Sequence, residues 1–301
     1  MTRDRRTRTL LVTGAAGPAG RALGVQLSAH SERSQLRVLG VDLAPKEVLG
    51  IDAMEVVPAA RDAAYERTLL ELVARHEPDL IIPTVSEELP GLAVLGGAVG
   101  LGRRLVLSDA APTAVAADKL LTMWALDHRG VPVPRYAGAD EFASSAEALS
   151  WAGGPVVVKP RQGRGGRGVH VVERAGDPVW AVLDASWVVQ LFAPGAEYSP
   201  QVYRSPVTGR CVVVVLEKSG RKQGRVGNAT EVTRLPQDAA KDVAELSARV
   251  VQALDLVGPV DMDVRRLGDG TPVVLEVNSR FGAVSADAPE LLDAVLHEWP
   301  G

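Results

Sequence analysis

The chain has 301 residues, 46% hydrophobic and 23% charged, with a net charge of -4 and a pI near 5.8. This is ordinary globular usage, long enough for two domains or for two or three packed lobes. It excludes a chain-wide basic field for nucleic acid, and Cys211 as the only cysteine excludes both an internal disulfide framework and a cysteine-based zinc site. Aromatic residues at 4% leave few platforms for stacking single-stranded bases.

The first nine residues include five charged ones, and the apolar run behind them covers only 10–12. A secretory segment needs about 7–15 apolar residues and a spanning helix about 20. The expectation is a soluble, cytoplasmic protein with neither a membrane nor a nucleic acid as partner.

Residues 9–13 read as a strand, and a glycine turn at 14–20 leads into a helix to about 29. Further strands follow at 37–42, 55–57, 80–82 and 105–107, with a helix at 65–76 and a loop after 82. This alternation predicts a doubly wound parallel sheet, an α/β domain over 1–110. A helix is expected from 112 to about 128, stopped by Gly130, Pro132 and Pro134. From 155 onward the apolar runs are strands, at 156–158, 169–172, 187–190, 199–203 and 211–217. They flank glycine loops and hairpins, which predicts an α+β half with antiparallel sheets and one amphipathic helix at 238–254.

Two glycine clusters and one hairpin carry chemistry. Gly14, Gly17 and Gly20 lie between a strand and a helix, and Asp42 ends the next strand. That pattern suits a dinucleotide, and it equally suits close strand–helix packing. No tyrosine has a lysine four positions on, as a short-chain reductase would need. The second cluster runs from the strand residue Lys159 through Gly163, Gly165, Gly166 and Gly168 to a returning strand. Glycine N–H groups can close over phosphate oxygens, and Lys159 with Arg161, Arg164 and Arg167 supplies positive charge. In the third, a two-residue Asp269-Gly270 turn would pair 268 with 271. Asp263 then lies opposite Glu276, and Asp261 opposite Asn278, all on one face. Opposed carboxylates repel, so a cation is expected between them, and hard oxygen ligands suit Mg²⁺.

In this order, DK at 118–119, VKP at 158–160 with the glycine loop, VQLFAPGAEYS at 189–199, Asp263, and LEVNSRFG at 275–282 resemble the ATP-grasp fold. The pattern is similar to its carbamoyl-phosphate synthase large-chain branch. The resemblance implies a Rossmann-like domain preceding the ATP-grasp fold (1–110), an N-terminal lobe with the lid loop (111–185), and a C-terminal lobe with the metal hairpin (186–301). It implies that Lys119, Lys159 and the loop glycines bind ATP phosphates. Gln190 and Leu191 would meet adenine, largely through the backbone, and Glu197 would take the ribose. Asp263, Glu276 and Asn278 would hold two Mg²⁺ ions, with Mn²⁺ as a substitute, and Arg280 would face the transferring phosphoryl group or a substrate carboxylate. LIIPTVSEEL at 80–89, with Glu87 and Glu88, is similar to a substrate-side loop, and a basic loop at 218–225 offers Arg221 and Arg225 to an anionic substrate. The implied activity is ADP-forming ligation of a small-molecule carboxylate to an amine through an acyl phosphate. A non-catalytic nucleotide-binding protein and an NAD(P)-dependent reductase are the alternatives, and monomer or homodimer stays open.

Overall fold

The computed structural model describes residues 7–163, 165–223 and 226–301, with backbone only for 220–223 and 226–230. Arg164 and Arg225, both expected near ligands, lie outside the described residues.

The first unit contains β1 (Arg8–Thr13), α1 (Pro18–Ala29), β2 (Leu36–Asp42), β3 (Ala53–Val56), α2 (Tyr65–His76), β4 (Leu80–Ile82) and α3 (Leu89–Ala98). Its strands are parallel in the order β3-β2-β1-β4. Leu10 and Val12 enter one core and Leu11 enters another, so β1 is covered on both faces. Continuous apolar runs belong to strands covered in this way. The expected strand at 105–107 is reduced to a single bridge between Leu105 and Ile81. The expected loop after 82 contains α3, whose small apolar residues carry no helical periodicity. The glycine turn serves packing. A Cβ on Gly20 would lie 2.4 Å from the Gly14 carbonyl oxygen, and Asp42 accepts the Ala16 N–H at 2.9 Å.

The second unit contains α4 (Ala110–Ala117), α5 (Lys119–His128), β5 (Tyr136–Gly138), α6 (Ser145–Ala152), β6 (Val156–Pro160), β7 (His170–Val172) and β8 (Trp187–Leu191). The helix expected over 112–128 is broken in two, because Asp118 is extended (φ -119°, ψ 114°) and caps α5 with its carboxylate. The sheet is antiparallel, in the order β5-β8-β6-β7. Strand β8 pairs with both β5 and β6 and so belongs to this second sheet.

The third unit contains β9 (Glu197–Arg204), β10 (Cys211–Gln223), β11 (Val226–Arg234), α7 (Lys241–Ala253), β12 (Gly258–Arg266), β13 (Pro272–Asn278) and α8 (Glu290–Glu298). Its antiparallel order is β11-β10-β9-β12-β13. The basic loop expected at 218–225 is replaced over 218–223 by a continuation of β10, which pairs with β11. Helices α5 and α7 cover one face through Met123, Leu126, Val243 and Val250 packed on Val202, Val260 and Met262. On the other side, Leu291, Leu292 and Val295 of α8 join Leu10, Val12 and Leu23 of the first unit. Among the described residues no helix is long and apolar enough to cross a membrane.

Candidate active site

The hairpin β12–β13 reaches the expected pairing by a different route. Leu267 N–H donates to the Thr271 carbonyl at 2.9 Å, so the turn holds three residues and Arg266 faces Pro272. The register then shifts between Asp263 and Val264, with Leu275 as the extra residue on β13. This bulge lets Val274 and Val277, three apart, both enter the core under α7, and it restores Asp263 opposite Glu276 and Asp261 opposite Asn278. It also releases the Leu275 carbonyl, which accepts from Lys159 Nζ at 3.0 Å.

Three lysines converge on these carboxylates. Lys159, at the end of β6, is 6% exposed, and burial pushes its ammonium down to about 8, against the opposing pull of Glu276. Lys119 begins α5, and its Nζ lies 3.2 Å from the Gly163 carbonyl and 3.4 Å from Glu276 Oε1. Lys218 on β10 forms ion pairs with Asp263 and, at 3.2 Å, with Glu197. Burial opposes its charge, but the two carboxylates prevail and hold it above the ordinary lysine range. In turn Lys218 holds Asp263 below the usual carboxylate range despite burial. Sequence reasoning missed Lys218 as a site residue. The available signal was its place two residues beyond Val212, Val214 and Leu216, on the same face of one strand.

These groups line a cleft with Gln190, Leu191, Gly163, Gly166 and Arg167. Gly165 and Gly168 lie outside that lining. Arg161, expected to face phosphate, instead grips Asp118, with Nη2 to Oδ2 at 2.8 Å. Gln190 is buried with its Nε2 unpartnered, and its backbone sits in ladders to both β5 and β6. The Leu191 N–H donates to Arg135 at 2.8 Å. Gln190, Leu191, Phe192 and Ala193 together form this side of the cleft.

A second pocket of about 260 Å³ adjoins the first, lined by Arg61, Ser86, Glu87, Gln162, Asn278 and Ser279 among others. Lys119, Gly163 and Glu276 line both. Arg280 lies at its border, with Nη1 on Asp261 Oδ2 at 3.1 Å and Nε 3.4 Å from Ser86 Oγ. Glu88, expected beside Glu87 as a substrate contact, is turned away. It is buried and accepts from Thr13, Tyr65 and the Val85 N–H, which ties the loop to β1 and α2. Burial raises its carboxyl above the usual range. Arg221 lies on β10 with only its backbone described.

Buried lysines face the opposed carboxylates Asp263 and Glu276 in a cleft between two antiparallel sheets, beside the glycine loop. An ATP-grasp domain matches residues 116–284, more than half of the chain, and the chain belongs to the ATP-grasp family. It is 30% identical to a probable alpha-L-glutamate ligase of Sodalis glossinidius over 71% of this chain and 74% of that one. It is 28% identical to a D-alanine–D-alanine ligase of Gloeobacter violaceus over 62% of this chain and 67% of that one. Its fold is shared with N5-carboxyaminoimidazole synthetase of Staphylococcus aureus in complex with ADP, at a TM-score of 0.74 and 16% identity. That match covers 98% of this chain and 78% of the other.

Proposed function

We propose that this ATP-grasp protein is an ADP-forming ligase that joins a small-molecule carboxylate to an amine. The observation that carries the reading is the meeting of two pockets at Lys119, Gly163 and Glu276. A triphosphate in the first places its terminal phosphoryl group beside an acid in the second. The carboxylate oxygen attacks the γ-phosphorus and ADP leaves. The amine nitrogen then attacks the acyl carbon, phosphate leaves, and the nitrogen gives up a proton. Positioning and charge stabilisation dominate such transfers, so no nucleophilic side chain is required.

Lys119, Lys159 and Lys218 supply the cationic side of the phosphate site, Gln190 meets the base, and Glu197 takes the ribose in this reading. Asp263 and Glu276 face each other with the Asn278 amide two residues on. Among the described residues no larger group of His, Cys, Asp or Glu converges on one point. Two hard carboxylates fit an ion such as Mg²⁺ that completes its shell with phosphate oxygens. When bound it would neutralise charge on those oxygens. Arg280 and Glu87 are assigned to the acid or amine side. Residues 1–110 are read as a Rossmann-like domain contributing to the second pocket, and the motif order keeps the affinity with the carbamoyl-phosphate synthase branch. Nothing favours a dinucleotide, since Asp42 and Gly20 are spent on packing.

A screen for ADP release over pairs of acids and amines tests this. Release that needs both partners is expected, and release indifferent to every pair rejects the ligase. ATP-Mg²⁺ should also slow amide exchange at 163–168, because phosphates supply acceptors for the glycine-loop N–H groups. Arg161 should change little, since its N–H already donates to Ser186 at 2.8 Å. Unchanged exchange at saturating nucleotide would remove the lid from the mechanism.

A further inference from the structure

Asp118 and Arg161 line neither pocket, yet each stands beside a lysine that does. Asp118 precedes Lys119, and Arg161 follows Lys159 by two residues. The guanidinium meets the carboxylate as a fork, with Nε 3.1 Å from both carboxylate oxygens and Nη2 2.8 Å from Oδ2. The same carboxylate accepts the N–H groups of Leu120 at 2.9 Å and Leu121 at 3.2 Å, which caps α5. A backbone tie runs alongside, from the Lys119 N–H to the Arg161 carbonyl at 2.9 Å. Through its own N–H to Ser186, Arg161 is also joined to the entry of β8. One residue thus links the start of α5, the end of β6 and the start of β8.

We propose that Asp118 and Arg161 form a positioning pair that sets the spacing of Lys119 and Lys159 and anchors the root of the glycine loop. The inference rests on the ligase reading, in which those lysines hold ATP phosphates. Two buried cations repel, so without phosphate between them their placement must come from the scaffold. The pair supplies it at the two points where the lysine-bearing segments leave their elements. A lysine cannot replace Arg161, because a point charge lacks the planar fork.

The test uses the full chain and three changes, Asp118→Asn, Arg161→Lys and the double variant Asp118→Asn/Arg161→Gln. Asp118→Asn keeps the cap and the shape of the side chain while removing the charge. Misplacing reacting groups by about 1 Å can cost about 10²-fold. Each single change should lower kcat by about 10- to 100-fold with a smaller rise in the KM for ATP. The double variant should be little worse than the worse single one, because both remove one interaction. A pair that serves folding only would lower Tm and leave kcat and KM of the folded protein at wild-type values, which overturns the proposal. Should Asp118→Asn fail to fold, Arg161→Lys decides, since it keeps the charge, and wild-type kinetics there overturn the proposal as well. Wild-type protein that does not bind ATP-Mg²⁺ in a parallel calorimetric titration overturns the ligase reading and this inference with it. Binding without the kinetic losses overturns the pair only.

Discussion

Glu276→Gln is expected to stop ADP release while leaving the protein folded. Glu276 stands where the two pockets meet, opposite Asp263 and 3.4 Å from Lys119 Nζ. The exchange is nearly isosteric, so circular dichroism and Tm should stay close to wild type. It removes the charge that would draw Mg²⁺ to the transferring group, and a metal acting as Lewis acid supplies several kcal/mol. At 1.36 kcal/mol per factor of ten, the loss in kcat is on the order of 10³ or more. The change also strips Lys119 of a partner, and a Mg²⁺ titration separates the two effects. A weakened metal site recovers part of its turnover at high Mg²⁺, whereas a displaced lysine does not respond. Turnover within tenfold of wild type at ordinary Mg²⁺ would reject the metal assignment.

Where a helix buries one face, or a strand covered on both faces is a continuous apolar run, the pattern in the chain could be read. The helix at 65–76 and the strand at 80–82 match α2 and β4 to the residue, and helix 238–254 encloses α7 (Lys241–Ala253). Elements without such contrast were hidden. Helix α3 is apolar all round, α6 is short, and β11 is polar and rich in small residues. Its polarity also concealed β10 beyond 217, since a strand is recognised partly through its neighbour. The α4–α5 break was invisible for another reason. Asp118 is an ordinary residue inside a helical pattern, and only its partner Arg161, 43 positions on, reveals that it caps a second helix.

The candidate site was legible through alternation more than through turn chemistry. Period two puts Asp261, Asp263, Glu276 and Asn278 on one face. The two-residue turn was wrong by one residue, and the bulge at Leu275 compensates by one, so the pairing of the carboxylates survives. A bulge depends on what the core demands of Val274 and Val277, a tertiary requirement that local sequence does not display. Lys218 was overlooked for a similar reason, because its role exists only once β10 lies beside β9. Glu88 shows the converse. Neighbouring acids in one loop look alike in sequence, and burial against Thr13 and Tyr65 separates Glu88 from Glu87.

Lys159→Ala should lower kcat/KM for ATP by about 10²–10³, the range for removing one preorganised group that faces developing charge in a dry site. The pH dependence is the sharper part. Burial holds Lys159 at about 8, below the ordinary 10.5, with Glu276 opposing and Lys119 reinforcing the shift. Phosphates bind the charged form, so the bound-state value lies above that of the free protein. ATP affinity is then complete below about pH 8 and falls as pH rises through it, by up to about tenfold per unit. Stability runs the other way over the same window. The unfolded chain binds the additional proton between about 8 and 10.5, so this group's contribution to folding is unfavourable at low pH and improves as pH rises. Lys159→Arg keeps its charge, and it should flatten the decline in affinity. Calorimetric titration of ATP-Mg²⁺ from pH 7 to 10, with urea unfolding at each pH, reads both slopes. Affinity that falls equally in wild type and Lys159→Arg would show that another group titrates, and would leave Lys159 as a strand-end cation without a phosphate.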